Sequence, residues 1–143
     1  MKILIMSLLP ILGFFLPTES QTGTIAVEVP EVKVNKSAKV IIRLFNSKDG
    51  FPSEGAKAFK EIKLPANSKV IKHEFTDIPF GTYAVSVMLD ENNNGEMDRN
   101  WIGMPKEPVG ASNMTHLGKP SFKKCAFELA SARKELTIKF IND

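Results

Sequence analysis

The chain predicts an all-β protein, an Ig-like or prealbumin-like antiparallel β-sandwich of about seven strands that follows an N-terminal signal peptide. Three observations carry this. Apolar and polar residues alternate with a period of two in seven short stretches. Clusters of Gly, Pro, Asn and Asp separate those stretches. No segment keeps the 3.6-residue periodicity of a long helix. A small closed barrel is the alternative arrangement.

The segment 1–20 reads as a secretory signal peptide and 21–143 as one domain. Lys2 supplies the positive start, residues 3–16 are apolar apart from Ser7, Pro10 and Gly13, and Thr18 and Ser20 are small residues suited to a cut before Gln21. The apolar run falls short of the ~20 residues a spanning helix needs, so the expectation is a secreted or periplasmic protein of the cell envelope, with no membrane span in the mature chain.

Residues 24–29 alternate Ile25, Val27 and Val29 against Thr24, Ala26 and Glu28, and Pro30 ends the run. Residues 38–46 place Val40, Ile42 and Leu44 on one face; Lys39 and Arg43 share the other with Ile41 and Phe45, which makes that face only partly wet. Asp49-Gly50 and Pro52 mark a loop. Strands are expected over 59–64 and 69–75, with a short helix over 53–63 as the competing assignment for the first. In 75–83, Gly81 and Tyr83 at a strand start resemble the tyrosine corner of Greek-key sandwiches, where the phenol bonds back to upstream backbone. Val85, Val87 and Leu89 continue the face of Tyr83. Strands over 123–129 and 134–141 close the sheets, with Cys125 on the face of Phe127 and Leu129 and with Leu136, Ile138 and Phe140 turned inward.

The most chemically suggestive stretch is Asp90-Glu91-Asn92-Asn93-Asn94-Gly95-Glu96-Met97-Asp98. It puts oxygen-bearing side chains at loop positions 1, 3, 5 and 9 and glycine at 6, the spacing of an EF-hand calcium loop. Asp90, Asn92 and Asn94 would ligate through side chains, Glu96 through its carbonyl, and Asp98 directly or through water. Position 12, where EF-hands carry a bidentate glutamate, is Trp101. A further carboxylate would come from elsewhere, with Glu107 the candidate, and affinity would be of the weak extracellular kind, ~10⁻⁴–10⁻³ M. The competing assignment is a hairpin turned by Asn94-Gly95.

The run 81–113 contains Gly81, Tyr83 and Ala84, then Asp90, Asn92, Asn94, Gly95 and Asp98, then Gly103, Pro105 and Glu107, then Gly110, Ser112 and Asn113. In this it resembles the bacterial family known as domain of unknown function 2141, with Pro120-Ser121-Phe122 and Ala126-Phe127 continuing the likeness. The chain departs from the pattern at Val109 and Ala111, where aromatics are common, and at Cys125, where alanine is usual. The resemblance implies a secreted or envelope β-sandwich protein and brings no established activity.

Other chemistry finds little support. The formal charge of +3 is mild and the lysines are scattered, without the clustered basic face and aromatic platforms of a nucleic-acid binder. The lone Cys125 reads as a small buried hydrophobe. His73 shares a strand face with Ile71 and Phe75, and a zinc set is not apparent from two distant histidines and one cysteine. Ser112, His116 and Glu107 are the one grouping that could support a small secreted hydrolase acting through residues 107–116, the disfavoured alternative. The favoured reading is a binding or interaction module for an envelope or extracellular protein or glycan. Trp101, Glu107, Ser112 and Asn113 could line its ligand lip, although isolated aromatics mostly pack, so Trp101 and Ile102 are expected to cap one end of the core.

Overall fold

The computed structural model describes residues 13, 16, 17, 19–116 and 118–142. Most of the segment assigned to a signal peptide lies outside the described residues, and no described helix is long and apolar enough to cross a membrane.

Among the described residues, eight strands form two facing sheets. β1 (Thr22–Val29) is central in the smaller sheet, ordered β4-β1-β8, between β4 (Ile71–Pro79) and β8 (Arg133–Thr137). The larger sheet runs β3-β2-β5-β6, built from β3 (Lys60–Ala66), β2 (Asn35–Phe45), β5 (Gly81–Asp90) and β6 (Val109–Ala111), and β7 (Phe127–Leu129) also pairs with β5. β7 and β6 divide the free edge of β5 between them: β7 pairs Gly81–Tyr83 and β6 pairs Ser86–Met88.

The alternation seen in the sequence is what lets the sheets stack. Ile25, Val27 and Val29 from β1 and Ile71, Phe75 and Ile78 from β4 meet Val40, Ile42 and Leu44 from β2 and Val85, Val87 and Leu89 from β5. Each of these side chains is buried, and at about 25 cal/mol per Å² of apolar surface this layer is the main source of stability. The tyrosine corner forms as expected: Tyr83 is buried and its hydroxyl donates to the Pro79 carbonyl at 2.7 Å.

Several boundaries differ from the sequence reading. The strands number eight, and β1 pairs β8 in parallel while its pairing with β4 is antiparallel. That parallel pair arises because β7 belongs to the opposite sheet, so the chain crosses the sandwich before β8 docks on β1. The short helix weighed for 53–63 is only a single 3₁₀ turn, Gly55–Lys57. The strand expected over 123–129 begins as a helical turn, α1 (Phe122–Cys125), because Ser121 caps it by accepting from the Lys124 N–H. Cys125 is therefore not on the face of Phe127 and Leu129; it packs with Ala84 and Ala111 outside the sandwich core. After β8 the chain leaves the strand, and the Ile138 and Ile141 N–H groups bond to the Glu28 and Val109 carbonyls, so the tail straps one sheet to the other.

Candidate functional site

β5 is buried on both faces. Val85, Val87 and Leu89 face the other sheet, while Ala84, Ser86, Met88 and Asp90 are buried on the outer side. Two small apolar clusters cover that outer side: Ile41, Met88 and Val109 with Met97, and Ala84, Ala111 and Cys125 with Phe51, Met114 and Phe122. The chain between β5 and β7 is thus a layer folded back over the sheet, and the acidic loop is where that layer starts.

Asp90, the last residue of β5, is 1% exposed. Its two oxygens accept from the N–H groups of Asn94 at 3.2 Å and Gly95 at 2.8 Å, which winds the loop around the carboxylate. Asn93 and Gly95 take positive φ to make that turn, at no steric cost for the glycine. Asn92 Oδ1 accepts from the Asn94 N–H and Asn94 Oδ1 from the Glu96 N–H, while both amide NH₂ groups donate to Asp98. The five residues expected to share an ion are therefore gathered into one tight loop.

Arg43 holds this loop to the sheet. It is buried on the outer face of β2, where Nη2 donates to the Gly95 carbonyl at 3.0 Å, Nη1 to the Ser53 carbonyl at 3.0 Å and Nε to Glu61 at 2.7 Å. A planar guanidinium can serve three acceptors in fixed directions, a task lysine cannot perform. The sequence signal was present: an arginine flanked by Ile41 and Phe45 on its own face of the strand.

Glu107 completes the arrangement. It is 4% exposed, and its Oε1 accepts from the Glu91 N–H at 3.0 Å. Its Oε2 is fully buried and has no hydrogen-bond partner. Burial raises the pKa of this carboxyl above the usual carboxylate range; the Glu91 and Asp98 N–H groups oppose the shift, and the neighbouring Asp90 and Asp98 charges reinforce it. A buried carboxylate with one orphaned oxygen, close to two other carboxylates, is costly without a counter-charge. Among the described residues no three acidic, histidine or cysteine side chains cluster tightly enough to hold an ion unaided. A cation here would draw on amide and peptide oxygens as well, the mixed donor set that calcium accepts.

The other candidates are placed differently. Trp101 does not cap the core: it is 96% exposed, and Ile102 and Met104 are exposed beside it. The reason is local. Asn100 accepts from the Ile102 and Met104 N–H groups, Gly103 takes positive φ, and Arg99 pairs with Pro105, which closes a small loop that projects the indole into water. Ser112, 1% exposed, lies beneath the surface, not on a lip. Its hydroxyl donates to the Cys125 carbonyl at 2.6 Å and accepts from the Val85 N–H at 3.0 Å, which leaves it no role as a nucleophile toward solvent. Exposed His116 contacts Thr115, and Asn113, at positive φ, spends its amide on the Ala126 carbonyl. These residues fix the fold of the covering layer.

No curated protein and no solved structure matches the chain. A family model does match, over residues 27–137, which run from the last residues of β1 to the end of β8 and include the whole covering layer. The chain accordingly belongs to the family described as an uncharacterized protein conserved in bacteria (DUF2141).

Proposed function

We propose that this chain is an exported binding module of the cell envelope whose 90–107 loop takes up a calcium ion. The observation that carries the reading is the buried, unpartnered Oε2 of Glu107 beside Asp90 and Asp98. Asp90, Asn92, Asn94, the Glu96 carbonyl and Asp98 would supply the loop ligands, and Glu107 the carboxylate that an EF-hand would place at position 12. In place of a helix following the loop, the strand pairing and the Leu89 N–H bond to the Pro108 carbonyl bring that glutamate back to the loop's base. The ion would offset the charge that Asp90 and Asp98 place beside Glu107 and fix the layer that projects Trp101.

The export part of the reading rests on Lys2 and the apolar residues behind it. The binding part rests on the exposed Trp101 and Ile102, an aromatic and an aliphatic side chain held in water by a tight loop, an arrangement suited to anchoring an envelope or extracellular protein or glycan.

The test is a thermal melt of the mature protein in millimolar calcium and in chelator, run on wild type and Asp90→Asn. At millimolar calcium, about one to ten times a dissociation constant of ~10⁻⁴–10⁻³ M, the ion should add about 0.4–1.4 kcal/mol of stability to wild type. Asp90→Asn, which keeps an oxygen for one of the two loop N–H groups and loses the charge, should show less than half of that gain. Identical wild-type melts in calcium and chelator would overturn the reading.

A further inference from the structure

Beside the acidic loop, the covering layer leaves a cavity of about 640 Å³ over the outer face of β5 and β6. That volume falls within the ~300–1,000 Å³ range of small-molecule sites. Its floor is Ser86, Val109 and Ala111, all buried. The only hydroxyl in that floor is already committed, since Ser86 Oγ donates to the Pro52 carbonyl at 2.8 Å. The rest of the lining is largely apolar and rich in thioethers, with Met97, Met104, Met114 and Phe51, and Ser53 adds one further hydroxyl. Methionine side chains adapt their shape to a flexible apolar guest.

The mouth has the opposite character. Arg99 and Lys119 also line the cavity and both are exposed. Neither takes part in an ion pair among the described residues, and Arg99 uses one guanidinium nitrogen on the Gly103 carbonyl at 3.0 Å, which leaves further donors free. The site thus joins a largely apolar interior to a rim carrying two unpaired cations.

We propose that this cavity binds a single-chain alkyl carboxylate, with the hydrocarbon over Val109 and Ala111 and the carboxylate between Arg99 and Lys119. A peptide or a sugar fits the same space poorly, because its buried amides or hydroxyls would find no free partner in the floor and each would cost a lost hydrogen bond. A neutral alkane chain would leave the two cations without use, and a cationic amphiphile would be repelled by them. The assignment goes beyond the binding-module reading, which rests on Trp101 and Ile102, and does not depend on the calcium site.

The experiment measures equilibrium binding of dodecanoate to the mature protein, below its micellar concentration and in chelator. Dodecanol and dodecyltrimethylammonium serve as probes with the same chain and a different head. Dodecanoate should bind at least about tenfold more tightly than either, the scale of one charge-assisted hydrogen bond. The double variant Arg99→Glu, Lys119→Glu, altered only at exposed positions, should lose that preference and still bind dodecanol. Equal affinity for the three probes, no binding of dodecanoate, or a preference unchanged in the variant would overturn the proposal. Because calcium is absent throughout, such a result leaves the calcium reading standing, and a calcium melt without a shift leaves this one standing.

Discussion

Tyr83 and Glu107 are both buried polar side chains, and the protein treats them in opposite ways. The Tyr83 hydroxyl has a partner, the Pro79 carbonyl at 2.7 Å, and burial raises its pKa, so it stays a neutral donor across the physiological range. Tyr83→Phe keeps the ring and strands that carbonyl; urea unfolding should report a loss of about 1–2 kcal/mol. An unchanged midpoint would mean that water satisfies the carbonyl and that the corner contributes only packing. Glu107 has a hydrogen bond on Oε1, and its Oε2 is the one buried side-chain polar atom among the described residues that has none. Sequence reasoning could find the tyrosine because its motif is local. It could name Glu107 only as a candidate, because the contact that matters joins it to Glu91, 16 residues away.

At the scale of the element, β5 explains both what the sequence revealed and what it concealed. Tyr83, Val85, Val87 and Leu89 alternate with Ala84, Ser86, Met88 and Asp90, and the apolar set identifies the inward face without ambiguity. The second set mixes Ala84 and Met88 with the polar Ser86 and Asp90 and carries no clear apolar pattern. The structure buries it because residues far along the chain fold over it, and no period in the strand announces that. Trp101 is the converse case: an aromatic that composition places inside and a tight asparagine-held loop places outside. The α1 turn was also hidden, since Lys123, Cys125 and Phe127 keep a period of two across a boundary that only the Ser121 cap sets.

Two predictions belong to elements. A Cβ on Gly110 in β6 would lie 2.3 Å from the Lys139 carbonyl, a backbone atom of the C-terminal strap. Gly110→Ala should therefore push the strap off β6 and cost about 1–3 kcal/mol by denaturant unfolding. A variant as stable as wild type would show that the strap is loosely held. On β4, His73 packs edge-on against Phe75 at 4.6 Å between ring centroids, and burial lowers its pKa below the ordinary 6.5, with the Glu74 charge opposing. The folded state thus binds the proton less readily than the unfolded chain. The His73 contribution is fully present above pH 6.5 and is lost as pH falls through 6.5 toward the folded value. His73→Gln should flatten the stability profile over that window, measured as melting temperature against pH; a profile of the same slope would assign the dependence to other groups.

For the molecule as a whole, the two-sheet core and the covering layer have different jobs. The sandwich was legible because each strand carries its own alternation and turn punctuation. The number of strands and the parallel β1–β8 pair were not, because they depend on where the chain crosses between sheets. The layer holds the unusual features: a loop wound on Asp90, an arginine clamp from β2, an exposed tryptophan, and a cavity with an apolar floor and a cationic mouth. The serine of the layer, Ser112, is sealed beneath the surface with its hydroxyl on the Cys125 carbonyl.

The central claim is that Glu107 and the Asp90 loop form one calcium site, and calorimetric titration of calcium into wild type and Glu107→Gln tests it most directly. The account predicts one ion per chain for wild type, at ~10⁻⁴–10⁻³ M, and at least about tenfold weaker binding for Glu107→Gln. It also predicts that Glu107→Gln is no less stable than wild type in chelator, because the substitution removes a desolvated charge. Wild type that gives no calcium heat, or a glutamine variant that binds the ion as tightly as wild type, would contradict it.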